Sequence, residues 1–181
     1  MRKSLYILGP LSDEDIEWML AYGQRHPVGP GEVLIRQGHP VEDLYLTLEG
    51  TFRVTDDRRG GQELARLGSG EIVGEMSFID ANPPSATVTA VDNGLVLALS
   101  RKLLQQRLDL DTAFASRFYF ALAVFLSDRL RATEARLLGE GAGAPSRDDL
   151  ADADELDPNV LDTVHLAGAR FKHILDRLAH S

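Results

Sequence analysis

Between residues 28 and 100 the chain consists mainly of short segments in which apolar and polar positions alternate. In the clearest segment, Leu44, Leu46 and Leu48 are separated by single residues of more polar character, and the alternation resumes at Phe52 and Val54. Similar segments occupy residues 32–36, 63–67, 86–91 and 95–99, with glycine-rich turns between them. Alternation of period two predicts β-strands with one buried face. Many short, evenly spaced strands predict a closed or double-sheet antiparallel fold of the jelly-roll kind.

Helical patterns flank this β-rich segment. Ser12 followed by three acidic residues predicts the N-cap of a helix that ends near Gly23. After the strands, the sequence predicts a short helix over residues 102–108 and a long helix from residue 112 to about Leu138. Asp157 and Pro158 have the residue types of an N-cap and first helical position, which predicts a tail helix. The expected organisation is a β-roll with its N-terminal helix (1–111), a long helix (112–139), an acidic linker (140–157) and an amphipathic tail helix (158–181).

The first half of the long helix is apolar on almost every side, with three phenylalanines between residues 114 and 120. Such a helix is normally covered on every side. One face is expected to pack on the β-roll, and the other requires a second partner. Leu126, Leu130, Thr133 and Leu137 continue one stripe at the spacing of a coiled-coil seam. We therefore expect a homodimer through residues 112–139. The stripe of the tail helix is expected either to cover its own domain or to dock on a protein partner.

Composition narrows the possible functions. The 181 residues carry a net charge of −9, which argues against a nucleic-acid-binding face. The absence of cysteine excludes disulfides, thiolate metal sites and cysteine nucleophiles. The first apolar run, residues 5–8, is too short for a signal peptide, and no stretch is long enough to span a membrane. No catalytic or metal-ligating constellation is evident. We expect a cytoplasmic protein that is not an enzyme, with neither nucleic acid nor membrane as partner.

The most specific motif is residues 74–88, GEMSFIDANPPSATV. A glycine-led turn opening a short helix presents backbone N–H groups suited to an anion. This segment resembles the phosphate-binding cassette of the cyclic-nucleotide-binding domain family. Residues 30–38 are similar to the opening strand and turn of that family, residues 44–54 to its central hairpin, and residues 67–71 to its approach to the cassette. The resemblance covers roughly residues 10–138 and implies the catabolite-activator-like fold, an antiparallel double-stranded β-roll (jelly-roll-like) with flanking helices.

The resemblance implies a set of ligand-binding residues. They are Gly74, Glu75, Met76, Pro84, Ser85 and Ala86 in the cassette, with Arg129 and Thr133 on the long helix. It implies that Glu75 accepts a hydrogen bond from a ribose 2′-hydroxyl and that Thr133 contacts the base. A Thr133 hydroxyl bonded to its own helix carbonyl is the alternative interpretation. The family places an arginine where this chain has Pro84, so Arg129 or Arg131 is a candidate substitute cation.

Proline supplies neither a charge nor a backbone donor. Because a charge-assisted contact contributes roughly 1.5–3 kcal/mol, the affinity for cAMP or cGMP should fall by about one to two decades. The sequence therefore predicts a regulatory module that senses cAMP, cGMP or another nucleotide, acts through helix rearrangement, and has an unidentified protein partner. The alternative is a scaffold protein whose pocket is vestigial or filled by its own chain. Only 42 residues follow Gly139, so we expect no winged DNA-binding domain.

Overall fold

The computed structural model describes residues 7–137 and 158–179. The strands are β1 (Gln24–Val28), β2 (Val33–Ile35), β3 (Asp43–Glu49), β4 (Phe52–Asp56), β5 (Gln62–Leu67), β6 (Ile72–Val73), β7 (Thr87–Ala90) and β8 (Gly94–Ser100). The α-helices are α1 (Asp13–Tyr22), α2 (Glu75–Asp80), α3 (Arg101–Leu110), α4 (Thr112–Leu137) and α5 (Pro158–Ala179). A 3₁₀ turn, Asp57–Arg59, follows β4.

The strands form two antiparallel four-stranded sheets. Their orders are β1-β8-β3-β6 in the first sheet and β2-β7-β4-β5 in the second. Alternation along β8 shows how each face is used. Val96 packs with Phe52 and Val88 of the second sheet, whereas Leu95, Leu97 and Leu99 pack with the helices on the other face. The predicted antiparallel β-roll with flanking helices is confirmed, because a period of two sends consecutive side chains to opposite faces.

The N-terminal helix begins as its residues predict. Ser12 Oγ accepts the Asp15 amide at 3.3 Å, and the Asp15 carboxylate accepts the Ser12 amide at 2.8 Å, which together make a capping box. The same buried carboxylate accepts hydrogen bonds from Arg107 of α3 at 3.0 Å and Arg117 of α4 at 2.7 Å. Burial acts to raise the pKa of the Asp15 carboxyl, but hydrogen bonds from Arg117 and Ser12 lower that pKa below its usual value. This cluster fixes the first turns of α4 against the rest of the molecule.

The tail helix α5 packs on α1 of its own chain. Ala167, Ile174 and Leu178 are buried in the same core as the N-terminal helix. Arg170 is almost fully buried and donates to the Leu8 and Gly9 carbonyls and to Asp13. Of the two interpretations of the tail stripe, the structure places the described part of the helix over its own domain.

Two strands were not predicted from the sequence. In β1 the first four residues are exposed and one of them is Pro27, so no alternation marks it. Proline is tolerated there because β1 is an edge strand. The second, β6, has only two residues, too few to show a period.

On the outer face of α4, for which the sequence predicts a second subunit as cover, Phe120 is 62% exposed in this single chain. The predicted linker, and the end of the long helix at Leu138, lie outside the described residues. No helix in the described part of the chain is long and apolar enough to cross a membrane.

Candidate ligand-binding cavity

A cavity of about 550 Å³ lies between the second sheet, α2 and the distal half of α4. All eight residues proposed from the sequence line it: Gly74, Glu75, Met76, Pro84, Ser85, Ala86, Arg129 and Thr133. The first six are close in sequence, whereas Arg129 and Thr133 line the cavity only because the distal half of α4 lies beside it. The fold therefore brings together two segments that are more than forty residues apart.

The floor of the cavity depends on the backbone of Gly74. Its φ of +94° lies in the left-handed region. An added Cβ would approach Asp43 O and Ile35 Cδ1 to 3.3 Å each. Glycine is thus required, and α2 can start directly after β6. Arg101 donates to the carbonyls of Val41 and Ser77, which holds α2 from behind.

An ionic cluster forms the inner wall. Glu75, the first residue of α2, is only 3% exposed and accepts a hydrogen bond from the Arg129 guanidinium. A second Arg129 nitrogen lies 3.9 Å from the equally buried Glu71 carboxylate. Arg129 also stacks over the Phe125 ring at 5.0 Å. Burial raises the pKa of the Glu75 carboxyl, and the nearby guanidinium opposes that rise. Arg129 therefore connects α4 to the floor of the cavity.

The loop that carries Pro84 is held by the turn that follows β2. The Pro84 carbonyl accepts the Gly38 amide at 2.9 Å, and the Gln37 side chain donates to the Ser85 carbonyl at 2.7 Å. The same Gln37 amide donates to the buried Asp56 carboxylate at 2.9 Å. Hydrogen bonds from Arg58 and Gln37 lower the pKa of Asp56 to about 2. The loop is therefore fixed, while Pro84 itself presents no charge and no N–H to the cavity.

Thr133 and Arg131 of α4 lie in different surroundings. The Thr133 hydroxyl donates to the Arg129 carbonyl at 2.9 Å, as the alternative interpretation expected, yet Thr133 also lines the cavity. Arg131 is exposed and lies beside Ala123 and Ser127 in a separate shallow depression. Of the two candidate substitute cations, only Arg129 lines the described cavity.

Several cavity residues were missed from the sequence. They include Glu71, Asp128 and Arg66, and the apolar side chains of Ile35, Val54, Leu64, Val73, Val88 and Phe125. Phe125, Arg129 and Thr133 are four residues apart, so helical spacing could have identified Phe125. Arg66 lies on the edge strand β5, where it pairs with Glu63 at 2.8 Å and its side chain is 60% exposed. No local pattern marks the others, because their faces are decided by how the sheets pack. Within the described residues no group of three or more metal-ligating side chains is present.

Comparison with known proteins agrees with this architecture. The family model described as "Cyclic nucleotide-binding domain" matches residues 25–111. The N-terminal domain of a transcriptional regulator from Streptomyces coelicolor is 31% identical, with a TM-score of 0.58 over 71% of this chain and 90% of that one. The chain belongs to the cyclic-nucleotide-binding domain family.

Two further relatives support this membership. A cyclic nucleotide-binding domain from Methylobacillus flagellatus is 29% identical, with a TM-score of 0.67 over 77% of this chain and 84% of that one. The cyclic AMP receptor protein of Thermus thermophilus is 39% identical over 94 residues, which are 51% of this chain and 44% of that protein. The chain spans less than half the length of the curated relatives it matches. Membership therefore describes this domain.

Proposed function

We propose that this cyclic-nucleotide-binding domain is a regulatory module that senses a small molecule in its cavity and signals to a protein partner through α4. The observation that carries the proposal is the contact of Arg129 with Glu75. A carboxylate that starts a helix in a cavity is a natural acceptor for ligand hydroxyl groups. Because such a ligand would compete with Arg129 for Glu75, binding would change the position of α4.

The contacts of α4 support a movement of its distal half. In the proximal half, Phe114, Phe118 and Leu122 are buried, and Arg117 bonds to Asp15. Beyond Phe125 the helix carries the exposed Leu130 and contacts the cavity through Arg129 and Thr133. Local opening concentrates where few buried contacts hold a segment. Ligand binding would therefore shift the distal half while the proximal half acts as a fixed base.

Pro84 sets the expected response to cyclic nucleotides. The neighbouring loop is anchored by Gln37, so the position is ordered but lacks a cation. We expect cAMP and cGMP to bind about 10 to 100 times more weakly than they would with arginine at this position, which corresponds to roughly 1.5–3 kcal/mol.

A homodimer through residues 112–139 is part of the proposal. Tyr119, Phe120 and Leu130 are exposed on α4, and large exposed apolar side chains grouped on one helix favour a helical partner. The same helix in a second subunit would cover them. The alternative of a scaffold whose cavity is filled by its own chain is less favoured, since about 550 Å³ remains between the described elements.

Calorimetric titration with cAMP tests the proposal in the full chain, its Pro84→Arg variant and a Pro83→Arg control. Pro83 is exposed and does not line the cavity, so the control adds the same charge one residue away. We expect the Pro84→Arg variant to bind cAMP at least tenfold more tightly than the other two proteins do. Hydrogen exchange should change in residues 126–137 of the bound variant and stay constant in residues 114–122. An absence of binding by all three proteins to cyclic nucleotides and nucleosides alike would refute a sensing cavity.

A further inference from the structure

We propose that the cavity selects a neutral ligand of the nucleoside class, with two adjacent hydroxyl groups and a flat ring, over a cyclic nucleotide monoanion. This inference rests on the proposed function, because it names the ligand of the same cavity. It is carried by the balance of charge around the cavity and by the distribution of its apolar surface.

The charges that line the cavity do not suit an anion. Among the described lining residues, the carboxylates are Glu71, Glu75 and Asp128, and the guanidinium groups are Arg66 and Arg129. Arg129 lies between two buried carboxylates, so its single charge is outweighed by theirs whether or not a ligand replaces it at Glu75. Arg66 pairs with Glu63 at the solvent-exposed edge. The interior thus carries a net negative charge, and an entering phosphate would meet repulsion in a partly buried site where screening by water is reduced.

The same residues suit hydroxyl groups. The two oxygens of a carboxylate can accept hydrogen bonds from two neighbouring hydroxyls, whereas a cyclic phosphate carries no donor. The Glu75 carboxylate is fixed at the first residue of α2 and is only 3% exposed. Burial strengthens such hydrogen bonds, because the carboxylate has lost most of its water. A neutral vicinal diol satisfies Glu75 without adding charge to the cavity.

The remaining surface suits a flat ring. Val54, Leu64, Val73 and Val88 provide apolar walls from the strands, and Phe125 faces the cavity from α4. The guanidinium of Arg129 stacks on Phe125, which gives a planar cationic surface beside an aromatic one. Heterocyclic bases stack on such surfaces. The volume of about 550 Å³ lies within the range of about 300–1,000 Å³ that is typical of small-molecule sites.

Calorimetric titration of the full chain with adenosine, guanosine, cAMP, cGMP and 2′-deoxyadenosine tests the inference. We expect adenosine or guanosine to bind at least tenfold more tightly than the matching cyclic nucleotide. 2′-Deoxyadenosine should bind at least tenfold more weakly than adenosine, because it lacks the vicinal diol. The Pro84→Arg variant should invert the preference toward the cyclic nucleotide. Glu75→Gln should reduce the difference in affinity between adenosine and 2′-deoxyadenosine, because the amide keeps only one acceptor oxygen and no charge, with circular dichroism melting to check its fold.

The outcomes separate this inference from the proposed function. Tighter binding of cAMP than of adenosine by the unmodified chain would overturn the neutral-ligand inference and support the sensing cavity. The same holds if Pro84→Arg binds cAMP while the unmodified chain binds no nucleoside. Equal affinity for adenosine and its 2′-deoxy analogue would overturn the role of the diol. If neither protein binds any of these compounds, both the inference and the proposed function fail.

Discussion

Replacing Arg129 with methionine removes a guanidinium that contacts two buried carboxylates while keeping a long side chain on Phe125. Breaking a fully buried ion pair costs about 3–5 kcal/mol. The Arg129 side chain is 32% exposed, so solvent screens part of the interaction. We therefore expect the free energy of unfolding of Arg129→Met to fall by about 2 kcal/mol at pH 7.

The loss should depend on pH. Burial already raises the pKa of the Glu75 carboxyl, and removal of Arg129 takes away the charge that opposes this rise. An acid whose pKa is higher in the folded state binds more protons there than in the unfolded state. Stability then decreases as the pH rises from the unfolded pKa of about 4.5 through the folded value. Arg129→Met should thus be more destabilised at pH 8 than at pH 5.

Urea unfolding followed by the fluorescence of Trp18, the single tryptophan, measures both effects. Arg131→Met is the matched control, because it makes the same substitution on an exposed face of the same helix. The double variant Glu75→Gln/Arg129→Met should recover part of the stability that Arg129→Met loses. If Arg129→Met unfolds at the same urea concentration as Arg131→Met at both pH values, Arg129 does not neutralise the cavity carboxylates, and the argument that it links α4 to the cavity is wrong.

Three further predictions follow from the described contacts. The Asp56 carboxyl, whose pKa is lowered to about 2, should stabilise the fold above about pH 4 and lose that contribution as the pH falls to about 2. In urea titrations, the difference in stability between the unmodified chain and Asp56→Asn should therefore decrease over this range. Arg170→Met should increase the rate of amide hydrogen exchange in α5 by about 10 to 100 times, since it leaves buried carbonyls without their donor. Arg177→Met is the control: the Arg177 side chain is exposed, so the exchange rate should change less than about threefold. Phe120→Glu should keep the far-ultraviolet circular dichroism spectrum of the folded domain but convert a dimer to a monomer in sedimentation velocity, because Phe120 is 62% exposed in the single chain. A monomeric unmodified chain would contradict the proposed interface.

Most of the local structure could be predicted from the sequence. The alternation of Leu44, Leu46 and Leu48 identified β3, because side chains on a strand point to opposite faces in turn. The capping residues of α1 act only across one helical turn, so Ser12 and Asp15 could be recognised by their spacing alone. The cassette also depends on a local requirement, since the left-handed backbone of Gly74 excludes other side chains. In each case the determining interaction joins residues close in the chain, or is the conformational preference of one residue.

Tertiary structure decided the rest. Nothing near β1 marks it as a strand, and it becomes one by pairing with β8, some seventy residues away. The residue types of Glu75 and Arg129 suggested separate roles, but their contact across 54 positions turns two candidates into one ionic cluster with Glu71. Whether a charge is neutralised depends on which elements pack together, and the residues next to it in the sequence do not indicate which distant side chain will contact it. The sequence therefore determined most of the elements and the cassette, while packing determined β1, the charge of the cavity and its connection to α4.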